Sequence, residues 1–415
     1  MTNQHQKGAP ARHAQRSLLG ALVADPERFT ADVWGRAPLH SPAAELPEDS
    51  WGLFSADAVD ELVSTHGLRT PFLRMARDGA TLAERDFTAP GGVGASIADQ
   101  ISDDKLLRQF ADGATMVLQG LHRTWAPLIA FSQGLAAELG HPVQINGYVT
   151  PAQSRGFDDH YDVHDVFVLQ VAGTKRWQVR PPVHPCPLRD QPWTDHRDAI
   201  SRAAQAAPEL EMVLAPGDTL YLPRGWMHSA TALGEVSTHL TMGVHTWTRH
   251  SMLEQVVAEA VAALAQDAEM RCSLGVGVDV SDPQELSEDL ALVRDRLVDA
   301  VHQVSGDAVA RRLAATSRSS QRAAPVRPLA QLSAADTLTE EVMLHPREHA
   351  APDTTERPDG TALIRSRAGE LQLTTDEWMR ARGLFRGEPT FVGELGIPLA
   401  RRLILAGIAV VAAQP

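Results

Sequence analysis

Cysteine is almost missing from this chain. Cys186 and Cys272 are the two present among 415 residues, far apart and outside any CxxC pair. That excludes a disulfide framework and a cysteine-rich structural zinc site, and it fits a reducing compartment. Long apolar runs are missing too, since none reaches the ~18–20 residues that span a bilayer. The closing LILAGIAVVAAQP is too short for that and reads as a helix end followed by a strand. The polar opening MTNQHQKGAPARHAQ lacks the apolar centre of a signal peptide. A cytoplasmic protein with no membrane contact is the expectation. Basic excess is also lacking: 38 Lys and Arg stand against 52 Asp and Glu, for a formal net charge of −14. Direct nucleic-acid binding is therefore not expected, whereas an acidic surface favours solubility and would suit a basic partner. No GxGxxG is visible, and with it goes the doubly wound dinucleotide fold.

What is present is the material of a soluble globular protein, with 43% hydrophobic and 22% charged residues. The length suggests two or three domains. Residues 1–15 read as a disordered tail. From 16 to 248 short helices mix with strand-like runs. WAPLIAFSQGLAAELG has a helical apolar period and stops at glycine. VQINGYVTP, DVFVLQVAG, KRWQVRPP, EMVLAPGDTLYLP and STHLTMGVHTW follow, broken by Gly and Pro in the manner of a β-sandwich or barrel. Residues 249–320 turn to amphipathic helices, and a helical bundle is expected there. SRSSQRAAPVRP is a polar linker. Residues 325–415 read as a strand pair, then helix, turn, helix and a last strand, a winged-helix-like module. The fold class expected is α+β.

The chemistry concentrates in HYDVHDVFVLQVAGTKRW, residues 160–177. Side chains at i and i+2 of a strand share a face, so His160 and Asp162 are expected to project together. PGDTLYLPRGWMHSA then supplies His228 after a strand and a Pro-Arg-Gly turn. Two imidazoles and one carboxylate with open opposite positions suit Fe(II) in an oxygen-activating site. His164 keeps the same parity, but three ligands along one strand would splay roughly 6.5–7 Å per two-residue step. It is placed at the pocket or its rim instead. His239 and His245 read as core or edge histidines, and Trp177 and Trp226 as packing residues. Thr238, Thr241 and Gly243 would lie near the site if their strand closes the barrel. A buried cation such as Lys175 needs an anion, and a dicarboxylate held by iron through its keto-acid end would offer one.

The combination N-x-Y-x-T-P (Asn146, Tyr148, Thr150, Pro151), GF-x-x-HYD, FVLQ-x-x-G-x-K-x-W and PGD-x-LY-x-PRG-x-x-H, spanning about 146–228, resembles the JmjC branch of the cupin superfamily. Within it, the ribosomal oxygenases resemble this chain most, and they share its order of catalytic region, helical bundle and winged-helix end. The resemblance implies a double-stranded β-helix (cupin/JmjC) barrel with His160, Asp162 and His228 as catalytic iron ligands. It implies Lys175 as the holder of 2-oxoglutarate, and Asn146 and Tyr148 at substrate or cosubstrate. It further implies Fe(II), 2-oxoglutarate and O2 as the reacting set, a dimer through the 249–320 bundle, and hydroxylation of a side chain in a protein or peptide such as a basic ribosomal protein. Gly243 stands where histidine-hydroxylating relatives carry a serine, which leaves the target residue open; arginine would suit an acidic groove. Other readings are a hydroxylase tailoring a biosynthetic peptide, an N-methyl demethylase, and a non-enzymatic cupin-like regulator. The intact ligand set and the acidic balance argue against the last.

Overall fold

The computed structural model describes residues 17–47, 52–77, 79–94 and 96–412; the expected tail, 1–15, lies outside them. The chain divides into two compact units, Met1–Thr246 and Trp247–Pro415. Each is described by itself.

The first unit is built on antiparallel strands: β1 (Leu39–Ser41), β2 (Leu73–Arg77), β3 (Ala80–Thr81), β4 (Thr88–Ala89), β5 (Gln100–Ile101), β6 (Thr115–Leu118), β7 (Val143–Thr150), β8 (Asp165–Arg180), β9 (Leu210–Leu214), β10 (Thr219–Leu222) and β11 (Met227–Val244). Two runs that the sequence presents as separate strands, DVFVLQVAG and KRWQVRPP, form the single strand β8. β8 and β11 are long because each runs through both halves of one nine-stranded sheet. The first half of β8 pairs with β10 and with the second half of β11, which continues to β7, β6 and β2. The second half of β8 pairs with β9 and with the first half of β11.

The two halves meet at a register break between Leu233 and His239. Gly173 sits opposite with φ 61°, and a Cβ there would meet the Val236 carbonyl oxygen at 2.2 Å. No other residue type fits so close an approach. The Gln170 amide bridges the break, donating to the Ala172 and Gly173 carbonyls and to Ser237 Oγ at 2.9–3.0 Å.

Alternation then sorts the residues. Phe167 and Leu169 face an outer core shared with Leu128, Phe131 and Leu135 of the helix Ala126–Leu139, which begins at a proline turn and ends on left-handed Gly140. Val166 and Val168 face inward, with Trp177, Val179, Leu214, Leu220 and Leu222. The two halves of the sheet thus enclose an interior that is apolar at its walls and polar along one line. This is the cupin-type barrel expected.

In the second unit, helices Arg249–Leu264, Ser287–Gln303 and Gly306–Ser320 are followed by helix Pro328–Asp336. A small mixed region closes the chain. β12 (Met343–Pro346), β16 (Thr390–Phe391) and β17 (Ala409–Val411) form one sheet; β13 (Asp353–Glu356), β14 (Ala362–Ser366) and β15 (Gly369–Leu373) form a meander. Helices Thr375–Phe385 and Ile397–Leu405 pack beside them on a core containing Ile364, Trp378, Leu399 and Leu403. Among the described residues no helix is long and apolar enough to cross a membrane. Both cysteines are free and exposed.

Candidate functional site

His160, Asp162 and His228 come together with potential ligand atoms all within 4.8 Å of one another; among the described residues no other such group of His, Cys, Asp and Glu is found. Strand parity is not what unites the first two. His160 and Asp162 precede β8, which starts at Asp165. His160 instead pairs with His228 through an isolated antiparallel bridge, with N–H to carbonyl bonds of 3.2 and 2.8 Å in the two directions. The turn before His228 adds a third bond, from Gly225 N–H to the Asp162 carbonyl at 3.0 Å. Asp165 fastens that turn further, accepting from the Arg224 N–H at 3.0 Å and the Tyr221 hydroxyl at 2.6 Å. Asp159, beside His160, bridges Arg180 (2.6 Å), Arg155 (3.1 Å) and Ser229 (3.1 Å). The ligand-bearing segments are therefore fixed by backbone and second-neighbour contacts rather than by strand geometry.

The tautomers follow from the partners. His160 Nδ1 lies 2.7 Å from the Asp158 carbonyl and His228 Nδ1 3.1 Å from that of Trp226. A carbonyl only accepts, so each Nδ1 carries the proton and each Nε2 is left with a free lone pair. Such backbone anchoring is how metal-binding histidines are oriented. His228 Nε2 is 3.6 Å from Asp162 Oδ2. Burial, with His160 adding to it, pushes His228 down to about 4, so the ring is neutral at pH 7. Burial opposes ionisation of Asp162, but His164, His228, His160 and Arg74 outweigh it and hold the carboxyl below its ordinary value. Two neutral imidazole nitrogens and one carboxylate are the donor set that Fe(II) takes in oxygenases. The residues present fit such an ion.

The triad opens into a cavity of about 350 Å³ lined from both halves of the sheet. At the far end Lys175 is 4% exposed. Its Nζ donates to Thr150 Oγ1 at 3.0 Å and approaches His239 Nδ1 at 3.5 Å. Among the described residues no carboxylate pairs with it, and burial alone lowers the amine from 10.5 to about 7. A buried amine without a counter-ion is a place for an anionic ligand group. Two nearby arginines are engaged elsewhere: Arg155 with Asp158 and Asp159, Arg224 with Asp165 and Thr246.

Tyr148 lines the cavity, and its ring stacks on His239 at 4.9 Å; burial pushes the phenol up to about 12. Asn146, on the same face of β7, uses its Oδ1 to accept the Gly120 N–H at 3.0 Å. Thr241 and Trp177 line the cavity, while Thr238 faces a separate groove behind the sheet. His164 sits over Gly243, contacts Gln144 at 3.3 Å and meets the His245 ring edge-on.

Two residues went unrecognised or undervalued in the sequence. His239 reads as a core histidine, and it is buried, but it also touches Lys175. Arg74, from the distant β2, lines the cavity with its guanidinium 5.3 Å over the Phe157 ring. Nothing in the text RTPFLRMARDG announces that position.

The barrel and its triad define a class, and residues 130–252 match the family model for the JmjC domain. Among curated proteins the chain is 30% identical over 271 residues to ribosomal oxygenase 1 of Gallus gallus, covering 64% of this chain and 43% of that protein. It is 37% identical over 148 residues to ribosomal oxygenase 1 of Homo sapiens, covering 34% and 22%. It is 32% identical over 139 residues to the bifunctional lysine-specific demethylase and histidyl-hydroxylase NO66 of Drosophila persimilis, covering 33% and 19%. The chain spans less than half the length of each of these relatives. Its fold matches the crystal structure of the Escherichia coli ribosomal oxygenase YcfD, with TM-score 0.52 and 14% identity over 94% of this chain and 99% of that one. YcfD in complex with cobalt and 2-oxoglutarate matches with TM-score 0.51 and 13% identity over 93% and 98%.

Proposed function

We propose that this protein is an Fe(II)- and 2-oxoglutarate-dependent oxygenase that hydroxylates a side chain of a protein or peptide, a ribosomal protein being the favoured substrate. The observation that carries the proposal is one cavity with two oppositely equipped ends. At one end stand the Nε2 lone pairs of His160 and His228 beside the Asp162 carboxylate; at the other, a buried Lys175 has no counter-ion among the described residues. A five-carbon keto-dicarboxylate suits both ends at once.

In this reading His160, Asp162 and His228 hold the metal. Lys175, steadied by Thr150, receives the distal carboxylate of 2-oxoglutarate as a charge-assisted pair. Bound iron, 2-oxoglutarate and O2 together supply the oxidation, giving succinate, CO2 and one hydroxyl on the substrate carbon. The protein's own part is to fix distances and exclude water. Trp177, Val166 and Val168 wall the interior, and the Asp158 and Trp226 carbonyls keep the imidazoles turned to the metal. Tyr148 and Asn146 stand on one face of β7, where a substrate side chain would pass.

The remaining parts are assigned on the same footing. Helices of 249–320 form a dimerisation bundle, because they expose Met252, Leu253, Val257 and Val261 together with Leu290, Val293 and Val298. Residues 325–415 act as a winged-helix-like module framing a polypeptide, and the protein works in the cytoplasm. The relatives named for ribosomal oxygenation support a ribosomal target, and the net charge of −14 would steer a basic partner. The test is succinate release with ribosomal-protein peptides against a panel of free amino acids. It is joined to a search for +16 Da modifications lost in cells carrying His160→Ala. Peptide-dependent succinate is expected. Turnover of a free amino acid with no peptide accepted would overturn the protein-hydroxylase reading.

A further inference from the structure

Arg74 is the cation that the proposed reaction leaves unused. It lies on the inner face of β2, opposite Val117 of β6, which in turn is opposite Tyr148 of β7. From there its guanidinium lies over the Phe157 ring, 5.3 Å from the centroid, and Phe157 is itself 5.9 Å from the His160 ring. That puts it on the metal side of the cavity, whereas Lys175 is tied to Thr150 at the far end. Among the described residues no carboxylate forms an ion pair with Arg74, and its Nε is buried without a hydrogen-bond partner. One of its donors goes to the Tyr148 hydroxyl, and the guanidinium's remaining edge donors stand in a rigid fork, the geometry that receives a carboxylate or carboxamide oxygen.

The balance of charge in the cavity agrees. Its described lining holds two cations, Arg74 and Lys175, and one acid, Asp162, which belongs to the triad. A divalent metal together with dianionic 2-oxoglutarate leaves that lining with one positive charge over. After Lys175 takes the distal carboxylate, the surplus resides at Arg74, beside the place where the reacting bond must come. No described acid remains there to receive an arginine or lysine.

We infer that Arg74 is a specificity-determining residue that admits a target side chain ending in a carboxylate or carboxamide, of the Asp/Asn or Glu/Gln type, and turns away a cationic one. The inference rests on the oxygenase reading and sharpens its substrate. It also reverses the expectation that an acidic surface implies an arginine target, because the surface charge meets the partner protein while Arg74 meets the single side chain that enters.

The test uses the full chain loaded anaerobically with Fe(II) and 2-oxoglutarate. Two readouts are taken: the visible absorption of the iron–2-oxoglutarate complex, and saturation-transfer NMR with three probes. The probes are the N-acetyl N-methylamides of aspartate, asparagine and arginine. The aspartyl and asparaginyl probes should bind the wild type, and more strongly than the arginyl probe. Arg74→Met should weaken them by about tenfold or more, as loss of a charge-assisted bond does, and Arg74→Lys should restore part of the loss. Both variants should keep the wild-type circular dichroism and 2-oxoglutarate titration. Equal or better binding of the arginyl probe overturns the inference. So does an Arg74→Met protein as impaired for 2-oxoglutarate as Lys175→Ala, since Arg74 would then be a cosubstrate residue. A wild type that shows no 2-oxoglutarate signal at all overturns the oxygenase reading itself, a failure visible before any probe is added.

Discussion

The barrel strands of the first unit and the helices at the start of the second use apolar residues in opposite ways. In β8 the run from Asp165 to Gln170 is buried on both faces, and Leu220, Leu240 and Met242 are fully covered. In helix Arg249–Leu264 only Ala260 is buried, and helix Ser287–Gln303 buries no residue. Both regions are rich in apolar residues, in an unbroken run through the first half of β8 and in stripes along the helices. The barrel completes its own core, while the helices present theirs outward. An apolar pattern therefore reports that a surface wants cover without saying who supplies it. The barrel's closed interior is what makes a dry site for chemistry possible, and the helices' open faces suit assembly.

The widest gap between the regions should appear on removing a ligand. Asp162→Ala is expected to abolish Fe(II)-dependent succinate formation while leaving the melting temperature nearly unchanged, because its side chain is one-third exposed and fills no core. Anaerobic metal titration with thermal denaturation measures both. Full activity in Asp162→Ala and in His228→Ala would remove the triad from the mechanism. Substitutions in the helical stripe should leave this titration alone.

Lys175→Ala comes next. Loss of a charge-assisted pair is worth roughly 1.5–3 kcal/mol, so the 2-oxoglutarate requirement should rise by about tenfold to a hundredfold, with Lys175→Arg milder. An unchanged requirement would move the role to another cation.

Much of this site is legible in the sequence, and the reasons for the rest are physical. HxD and the later histidine could be paired because residue type and spacing together restrict the chemistry. Lys175 alone reads equally well as a solvated strand-end lysine, and it is the family resemblance that singles it out for 2-oxoglutarate; the structure adds that it is buried. The mechanism that aligns His160 with Asp162 was not legible, since strand parity gives the same answer as the actual bridge to His228 and three backbone hydrogen bonds. The merging of two runs into β8 was hidden because Gly173 looks like a turn, and its φ of 61° does make a bend, but within a continuous strand. Arg74 was invisible because its position depends on β2 joining the sheet beyond β6, a long-range pairing with no local signal.

A smaller effect follows from pH. Burial holds the Lys175 amine at about 7 instead of 10.5. Below pH 7 the group is charged in both the folded and unfolded chain, and the cost of the buried charge is then fully present. As pH rises from 7 toward 10.5 the folded protein sheds the proton first, so the unliganded protein gains stability over that window. In the role proposed for Lys175, binding of 2-oxoglutarate would require the charged amine and would take the proton back. Its affinity should fall above pH 7 by up to about tenfold per pH unit, measurable by calorimetry in buffers of different ionisation heat. Lys175→Ala should flatten the profile, and a flat wild-type profile would show that the amine is already charged.

The finest test returns to the two apolar patterns. Leu240→Ala removes a fully buried barrel side chain and should cost about 2–5 kcal/mol, as large-to-small core changes do. Val257→Ser changes a residue that is 40% exposed, and within one chain it should shift stability by no more than about 0.5 kcal/mol. If the helical faces are covered by a second copy, that small intrinsic change has a separate consequence. Val257→Ser combined with Val261→Ser would lower the mass measured by light scattering at micromolar concentration from two chains toward one, while the iron and 2-oxoglutarate titrations stay as in the wild type. A wild type already monomeric there would mean that these helices are covered by something other than a copy of this chain. A Val257→Ser variant as destabilised as Leu240→Ala, but still of unchanged mass, would erase the distinction between the two regions, because it would make the helical stripe a core in its own right.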